Sequence, residues 1–171
     1  QKGGQGLIIH WTVCKTLLGL ALVAATERGI CAVALGTDRS LLQAELQNEF
    51  PKAQLNYVAD SHQYISAKVQ HVARVLSGLP SIESIELVGT VFQQKVWQAL
   101  MKIPAGQTRS YAELAEQIAM PKAARAVARA CASNKVAVLV PCHRIIRRDG
   151  TMGGYRWGLP LKKKLLQLER A

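Results

Sequence analysis

Residues 19–36 read "GLALVAATERGICAVALG", two apolar, β-rich runs parted by the turn-like "ERG". With "LIIHWTVC" (7–14) ahead of them, they predict a small antiparallel sheet at the start of the chain. Two helical patterns follow. "DRSLLQAELQNEF" sets Leu42, Leu46 and Phe50 at helical spacing before Pro51, and "SHQYISAKVQHVARVLSG" does the same with Ile65, Val69, Val72 and Leu76 before Gly78. "SIELVG" reads as a last strand ending at Gly89. His10, His62 and His71 fall in these elements without a cysteine or carboxylate at ligand spacing, so they are expected to be structural or solvent-facing.

The remainder reads as mainly helical. Thr90 with Gln93 makes a capping box for "FQQKVWQALMKI", whose Phe92, Val96, Leu100 and Ile103 mark a buried face ending at Pro104. Ser110 with Glu113 repeats the device for "YAELAEQIA", which turns Leu114, Ala115 and Ile118 inward until Met120-Pro121 breaks it. "KAARAVARACASN" follows after a short connection, giving the organisation of a helix-turn-helix. Lys122, Arg125 and Arg129 lie at i, i+3 and i+7 on one exposed stripe. Val127 and Cys131 lie on the inward side, Cys131 as a small core residue. "KVAVLVPCHRII" reads as a buried strand running into Cys142, and "RRDGTMGGYRWG" as a glycine-rich loop carrying Tyr155, Arg156 and Trp157. Pro160 opens a last helix with Leu161, Leu165 and Leu168 on its apolar side and Glu169 near its end. The expectation is an α+β chain of two lobes: a β-rich lobe over 1–88, whose residues 1–6 are linker-like, and a mainly helical lobe over 89–171.

Composition narrows the function classes. No apolar run approaches the roughly 18 residues of a membrane span, and "QKGGQG" has neither a signal-peptide core nor a starting methionine. The reading is a soluble chain, a fragment or processed product. Cysteines at 14, 31, 131 and 142 show no C-x-x-C spacing, which argues against zinc and for a reducing cytosol. The formal charge of +11 is segregated: residues 1–88 carry seven Lys or Arg and seven Asp or Glu, whereas residues 89–171 carry fifteen against four. A basic half of this kind is the electrostatic footprint of a polyanion, here nucleic acid.

Within the basic half, "VPCHRII" (140–146) sets the Cys142 thiol before the His143 imidazole. Only a thiolate is strongly nucleophilic, so a reactive cysteine needs a base or positive potential nearby. His143 is adjacent, Arg144, Arg147 and Arg148 follow, and Glu169 can return from the last helix to orient the imidazole. Three readings are open at this point: a cysteine hydrolase attacking a carbonyl, an alkyl transferase displacing a group at carbon, and a helix-turn-helix regulator in which Cys142 is dispensable. The charge segregation and the helical reader favour a nucleic-acid substrate.

"PCHRII", preceded by "YAELAEQIAMPKAARAVARACASNK" and followed by "DGTMGGYRWG", resembles the O6-alkylguanine-DNA alkyltransferases, and "GTVFQQKVWQALMKIPAGQTRSY" extends the resemblance across residues 89–171. Residues 7–88, especially "GICAVALG", resemble the first lobe of family members that form the C-terminal part of a longer chain, which leaves open an N-terminal regulatory domain in the natural protein. The resemblance implies single-turnover repair of double-stranded DNA containing O6-methylguanine, with O4-methylthymine as a second candidate substrate. The damaged base is flipped and its alkyl group moves to Cys142, with no cofactor and no metal. By the family pattern His143 is the base acting through a water, and Glu169 completes the relay. Asn134 is the hinge between reader helix and active-site segment, Tyr111 helps rotate the nucleotide, and Arg125 fills the vacated stack. Lys122, Arg129 and Lys135 join the DNA surface. Tyr155, with Arg156 beside it, walls the guanine pocket, and main-chain groups at Cys142 and Ile145 contact the base. The same pattern implies a monomer in the bacterial cytosol, at the nucleoid, with no membrane partner.

Overall fold

The computed structural model describes residues 2–80 and 82–170; Gln1, part of the expected linker, lies outside them. The chain divides into two compact units. The first holds residues up to Gly89 together with Lys135–Ala137, and the second holds Thr90–Asn134 and the chain from Val138 onward.

In the first unit β1 (Ile8–Thr16), β2 (Gly19–Thr26) and β3 (Gly29–Gly36) form antiparallel neighbours, with His10 opposite Ala25 and Val23 opposite Val33. β2 and β3 are buried along nearly their whole length, which is why they read as unbroken apolar runs instead of alternating ones. α1 (Arg39–Glu49) packs on β2 and β3, and α2 (Gln63–Leu76) on β1 and β2. Leu42, Leu46 and Phe50 from one side of the pattern and Ile65, Val72 and Leu76 from the other enter the core, while Val69 stays half-buried.

Two expectations for this unit need correction. A fourth strand, β4 (Gln54–Tyr57), adds parallel to β1 and makes the sheet mixed, in the order β3-β2-β1-β4. "QLNY" is short and only half-buried, so neither alternation nor an apolar run announces it. "SIELVG" is no strand but one parallel bridge, Ile85 to Ile30, and Val136 makes a second to Val33. These two segments cover the open edge of β3 by borrowing its backbone groups: Ile30 N donates to Ser84 O and Val33 N to Lys135 O, each at 2.9 Å. Gly29 permits the approach, because a Cβ there would stand 2.3 Å from the Ser84 carbonyl oxygen.

In the second unit α3 (Val91–Met101) and α4 (Tyr111–Gln117) begin with the two expected capping boxes, both complete. The buried Trp97 indole N–H donates to Ala130 O at 2.9 Å and fastens α3 to α5 (Ala124–Ala132). Phe92 stays half-buried, so the inward face of α3 runs through Val96, Trp97 and Leu100. α4 ends with Ala119 in the left-handed region (φ 60°), where Met120 N reaches back to Ala115 O. Two short parallel strands, β5 (Arg109–Ser110) and β6 (Ile145–Ile146), and a last helix α6 (Leu159–Arg170) complete the unit.

The continuous strand expected over "KVAVLVPCHRII" does not form; only its last two residues are extended, as β6. After the bridge at Val136 the chain turns at Val138, whose φ of 70° no strand accepts, and Cys142–Arg144 form a 3-10 turn. The apolar run reflects burial from every side, not extension: residues 136–140 are all buried. α6 is also rotated from its expected face. Lys162, Leu165 and Leu166 point into the core, while Leu168 is exposed and Leu161 half-buried.

Candidate active site: a buried thiol beside a histidine and a carboxylate

The 3-10 turn sets consecutive side chains of Cys142, His143 and Arg144 in different directions, and each finds its own partner. The Cys142 thiol, 5% exposed, accepts a hydrogen bond from Asn134 Nδ2 at 3.1 Å, while the same amide also donates to Val140 O at 2.9 Å. Asn134 is itself buried just after the end of α5, so one amide fixes both the thiol and the turn that carries it. Burial pushes the Cys142 thiol up to about 11, against the lowering effect of the Asn134 amide and the charges of Lys162 and Arg156.

His143 is fully buried, with Nε2 2.7 Å from Glu169 Oε1 on α6. Burial lowers its pKa and outweighs the carboxylate beside it, so the ring is neutral near pH 7. A neutral ring that donates from Nε2 to Glu169 keeps Nδ1 as an acceptor, and Nδ1 has no hydrogen-bond partner in the protein. Arg144 turns to the same carboxylate: Nη2 donates to Oε1 at 2.7 Å and Nε to both oxygens at 3.1 Å, while Nη1 donates to Ile103 O at 2.6 Å. Burial alone pushes the Glu169 carboxyl up, but the hydrogen bonds from His143 and Arg144 prevail and bring it down to about 2. Arg144, expected to supply potential to the thiol, is thus the anchor of Glu169.

A cavity of about 290 Å³ opens on the thiol, lined by Tyr111, Ala128, Cys131, Ala132, Cys142, Gly154, Tyr155 and Arg156. Gly153 brings the glycine-rich loop to it, with φ 66° and room for a Cβ only 3.2 Å from the Tyr111 hydroxyl. Arg156 is held by donating to Asn134 O at 2.7 Å and lies over the Trp157 ring, and Tyr155 meets the His143 ring edge-on at 6.5 Å. Cys131 is a buried side chain, as expected, and also a wall of this cavity. Ile145 does not line the cavity; its N–H donates to Cys142 O and its carbonyl accepts from Lys162.

Of the residues expected on the DNA surface, Arg125 and Arg129 stand exposed on α5, with Tyr111 half-buried at the start of α4. Lys122 is exposed but precedes α5, in the turn, so it is not part of a helical stripe. Lys135 points elsewhere: its ammonium donates to Val88 O at 2.8 Å and lies 3.9 Å from Glu49. The buried Lys162 escaped sequence reasoning because it opens the run "KKK", which looks solvated. Among the described residues no cluster of three His, Cys, Asp or Glu side chains is placed to hold a metal ion, and no helix is long and apolar enough to cross a membrane.

Residues 91–171 match the family model of the 6-O-methylguanine DNA methyltransferase DNA-binding domain. The whole fold superposes on the crystal structure of Mycobacterium tuberculosis O6-methylguanine methyltransferase with a TM-score of 0.77 and 31% identity, covering 95% of this chain and 93% of that one. A structure of the M. tuberculosis protein in complex with DNA matches with a TM-score of 0.75 and 33% identity, covering 94% of this chain and 92% of that one. This chain belongs to the O6-alkylguanine-DNA alkyltransferase family. It is 48% identical over 99% of its length to the Escherichia coli bifunctional transcriptional activator/DNA repair enzyme Ada, of which it spans 48%. It is 55% identical over 86 residues to the Mycobacterium leprae methylated-DNA--protein-cysteine methyltransferase, covering 50% of this chain and 52% of that one. The chain spans about half the length of the curated relatives it matches.

Proposed function

We propose that this protein repairs alkylated DNA by moving the methyl group of O6-methylguanine onto Cys142, once per molecule. The observation that carries the reading is that Cys142, held by Asn134 and followed by the His143–Glu169–Arg144 cluster, lines a cavity whose walls include Ala128, Cys131 and Ala132 of α5. A guanine O6 is inaccessible to such a buried thiol within a stacked duplex, so the damaged nucleotide is turned out into the cavity against Tyr155, with Tyr111 guiding it and Arg125 entering the gap. Arg129 meets the DNA backbone beside it.

The chemistry is an in-line displacement at carbon. Neutral His143 takes the Cys142 proton at Nδ1, through one bridging water, and the ion pair of Glu169 with Arg144 stabilises the imidazolium as it forms. The sulfur forms its bond to the methyl carbon while the carbon–O6 bond breaks. That electron pair stays on guanine, which takes up the released proton. Thiol and methylated base become thioether and guanine, and no cofactor enters the balance. A thioether is a poor leaving group, so the protein is spent. The working form is a monomer in the cytosol, acting at the nucleoid.

Mixing the protein with a duplex carrying a single O6-methylguanine, followed by peptide mass spectrometry, tests the reading. One methyl group on the Cys142 peptide, restored guanine and no second round are expected, and a Cys142→Ala variant binds DNA without repairing it. An unmodified Cys142 despite tight binding would overturn transfer in favour of a regulator, and multiple turnover on an ester would favour the hydrolase.

A further inference from the structure

A second cavity, of about 370 Å³, lies wholly within the first unit, apart from the acceptor cluster and the basic helix. Ile8, His10, Thr26, Glu27, Tyr64 and Glu86 are among its walls. It opens where two strands part. The antiparallel ladder of β1 with β2 ends at His10 opposite Ala25, whereas β1 runs on to Ile8 beside β4. In that register the residue facing Ile8 is Glu27, which has left the sheet for the turn into β3.

On its other edge β1 gives Leu7 O to Gln54 N at 2.9 Å and Trp11 O to Val58 N at 3.0 Å. Its odd residues thus turn their main-chain groups to β4, and its even residues turn theirs toward β2. Ile8 therefore directs its N–H and C=O into the gap, a strand end of the kind that takes up an extended peptide from another chain. A peptide residue paired there exchanges both hydrogen bonds with Ile8 and sends its side chain to the same face. That face is also the face of His10, two residues on, whose ring meets Tyr64 edge-on at 5.4 Å.

A carboxylate stands on that face. The Glu86 side chain is 14% exposed, and its Oε2 accepts from the Thr26 hydroxyl. Among the described residues Oε1 has only the Arg28 guanidinium, 3.9 Å away on a side chain 76% exposed and beyond hydrogen-bond reach. The wall is firmly held, because the Tyr64 hydroxyl donates to Thr26 O and Arg28 N to Thr26 Oγ1 at 3.1 Å. Burial, then Cys31 and the carboxylates of Glu27, Glu86 and Glu83, hold the Tyr64 phenol above its ordinary value. Lys68 answers Glu83 at 3.9 Å, with its ammonium 4.4 Å from the centre of the Tyr64 ring. Glu27 and Glu86 are left facing Arg28, so this recess favours a cation although the chain carries +11. Ile8, 52% exposed, and the rings of His10 and Tyr64 offer an aliphatic stem its apolar cover.

We propose that this cavity docks an extended segment of a partner protein that carries a lysine: its main chain pairs with Ile8, and its side chain brings the ammonium to Glu86 and Glu27. Lysine suits the site better than arginine, since Glu86 has one oxygen left to offer and a forked guanidinium takes two. A peptide suits it better than a free polyamine, which has no amide to complete the pair with Ile8. The proposal is independent of alkyl transfer, because none of these walls belongs to the acceptor cluster.

The probe is the peptide acetyl-Thr-Val-Lys-Val-Thr-amide, titrated into 15N-labelled wild-type protein and followed by amide NMR. Saturable shifts centred on Ile8, His10 and Glu27 are expected. Replacing the probe's lysine by norleucine keeps the stem and removes the charge, and methylating the lysine main-chain nitrogen removes one hydrogen bond to Ile8. Each change should weaken binding roughly tenfold. Glu86→Gln, which can still accept from the Thr26 hydroxyl, should abolish the preference for lysine over norleucine. Shifts that fail to saturate or centre elsewhere, or equal affinities for the three peptides, would overturn the proposal. Spermidine matching the lysine peptide would overturn it in favour of a small polyamine. Should Glu86→Gln fail to fold, the comparison of probes on the wild type decides alone.

Discussion

The imidazole of His143 and the carboxylate of Glu169 are poised by opposite effects of one environment. Burial withholds the proton from His143, while two donors hold the proton off Glu169 despite its burial. Folding thus lowers the Glu169 pKa from its usual 4.5 to about 2, and stability depends on pH in a definite direction. Above about pH 4.5 the contribution is complete, because the carboxylate is ionised in the folded and the unfolded chain alike. As pH falls through 4.5 toward 2 the unfolded chain takes up a proton that the folded one refuses, and the contribution is lost. Its size is on the order of 2 kcal/mol after allowance for the carboxyl's partial contact with solvent. Urea unfolding of wild type and Glu169→Gln from pH 7 to pH 2 should show a constant gap down to about pH 5 that closes by about pH 2. The same variant should transfer methyl roughly a hundredfold more slowly, because His143 loses the partner that orients and supports it. A gap that persists at pH 2 would place the origin of the effect in packing and not in charge.

At the scale of elements, the α4–α5 pair shows local chemistry serving a larger purpose. Ser110 and Glu113 start α4, the inward faces are Leu114 and Ala115 on α4 and Val127, Ala130 and Cys131 on α5, and the turn between them rests on Ala119 at φ 60°. A Cβ in that region is strained, so Ala119→Gly should raise stability by about 1 kcal/mol. For a chain of this size that is a gain of about 2–4 °C in Tm, readable by calorimetry. The elements legible in the sequence were those with signals of their own: capping boxes at Thr90 and Ser110, helical spacing at Leu42 and Ile65, and apolar runs around "ERG". Those that escaped depend on distant neighbours. β4 exists because β1 offers an edge, the run around Val138 is apolar because it is enclosed, and α6 turns about Lys162 because three carbonyls converge there. The Cys142, His143 and Glu169 cluster was accessible through its motif, but the attachment of Arg144 to Glu169 was not, since a basic residue beside a cysteine looks like potential and not like a strut.

For the molecule as a whole, charge follows the division of labour: seven basic and seven acidic residues up to position 88, then fifteen and four. DNA affinity should therefore fall linearly in log–log form with salt, and Arg129→Ala should lower the slope by about 1. Lys15→Gln and Lys52→Gln, in the balanced part, should leave it unchanged. Fluorescence anisotropy between 50 and 200 mM salt reads both, and an equal effect from Lys15→Gln or Lys52→Gln would refute the assignment of binding to the basic part. The enclosure of the Cys142 sulfur, finally, bears on how long a molecule stays fit for use. A pKa of about 11 leaves about one thiol in ten thousand ionised at pH 7, against a few in a hundred for an ordinary cysteine. Under the proposed single transfer, a molecule has no second chance if a stray electrophile or oxidant reaches its sulfur first. Keeping its sulfur protonated and covered until a nucleobase enters the cavity is a form of chemical patience: the slow free thiol would preserve the one proposed reaction for damaged DNA.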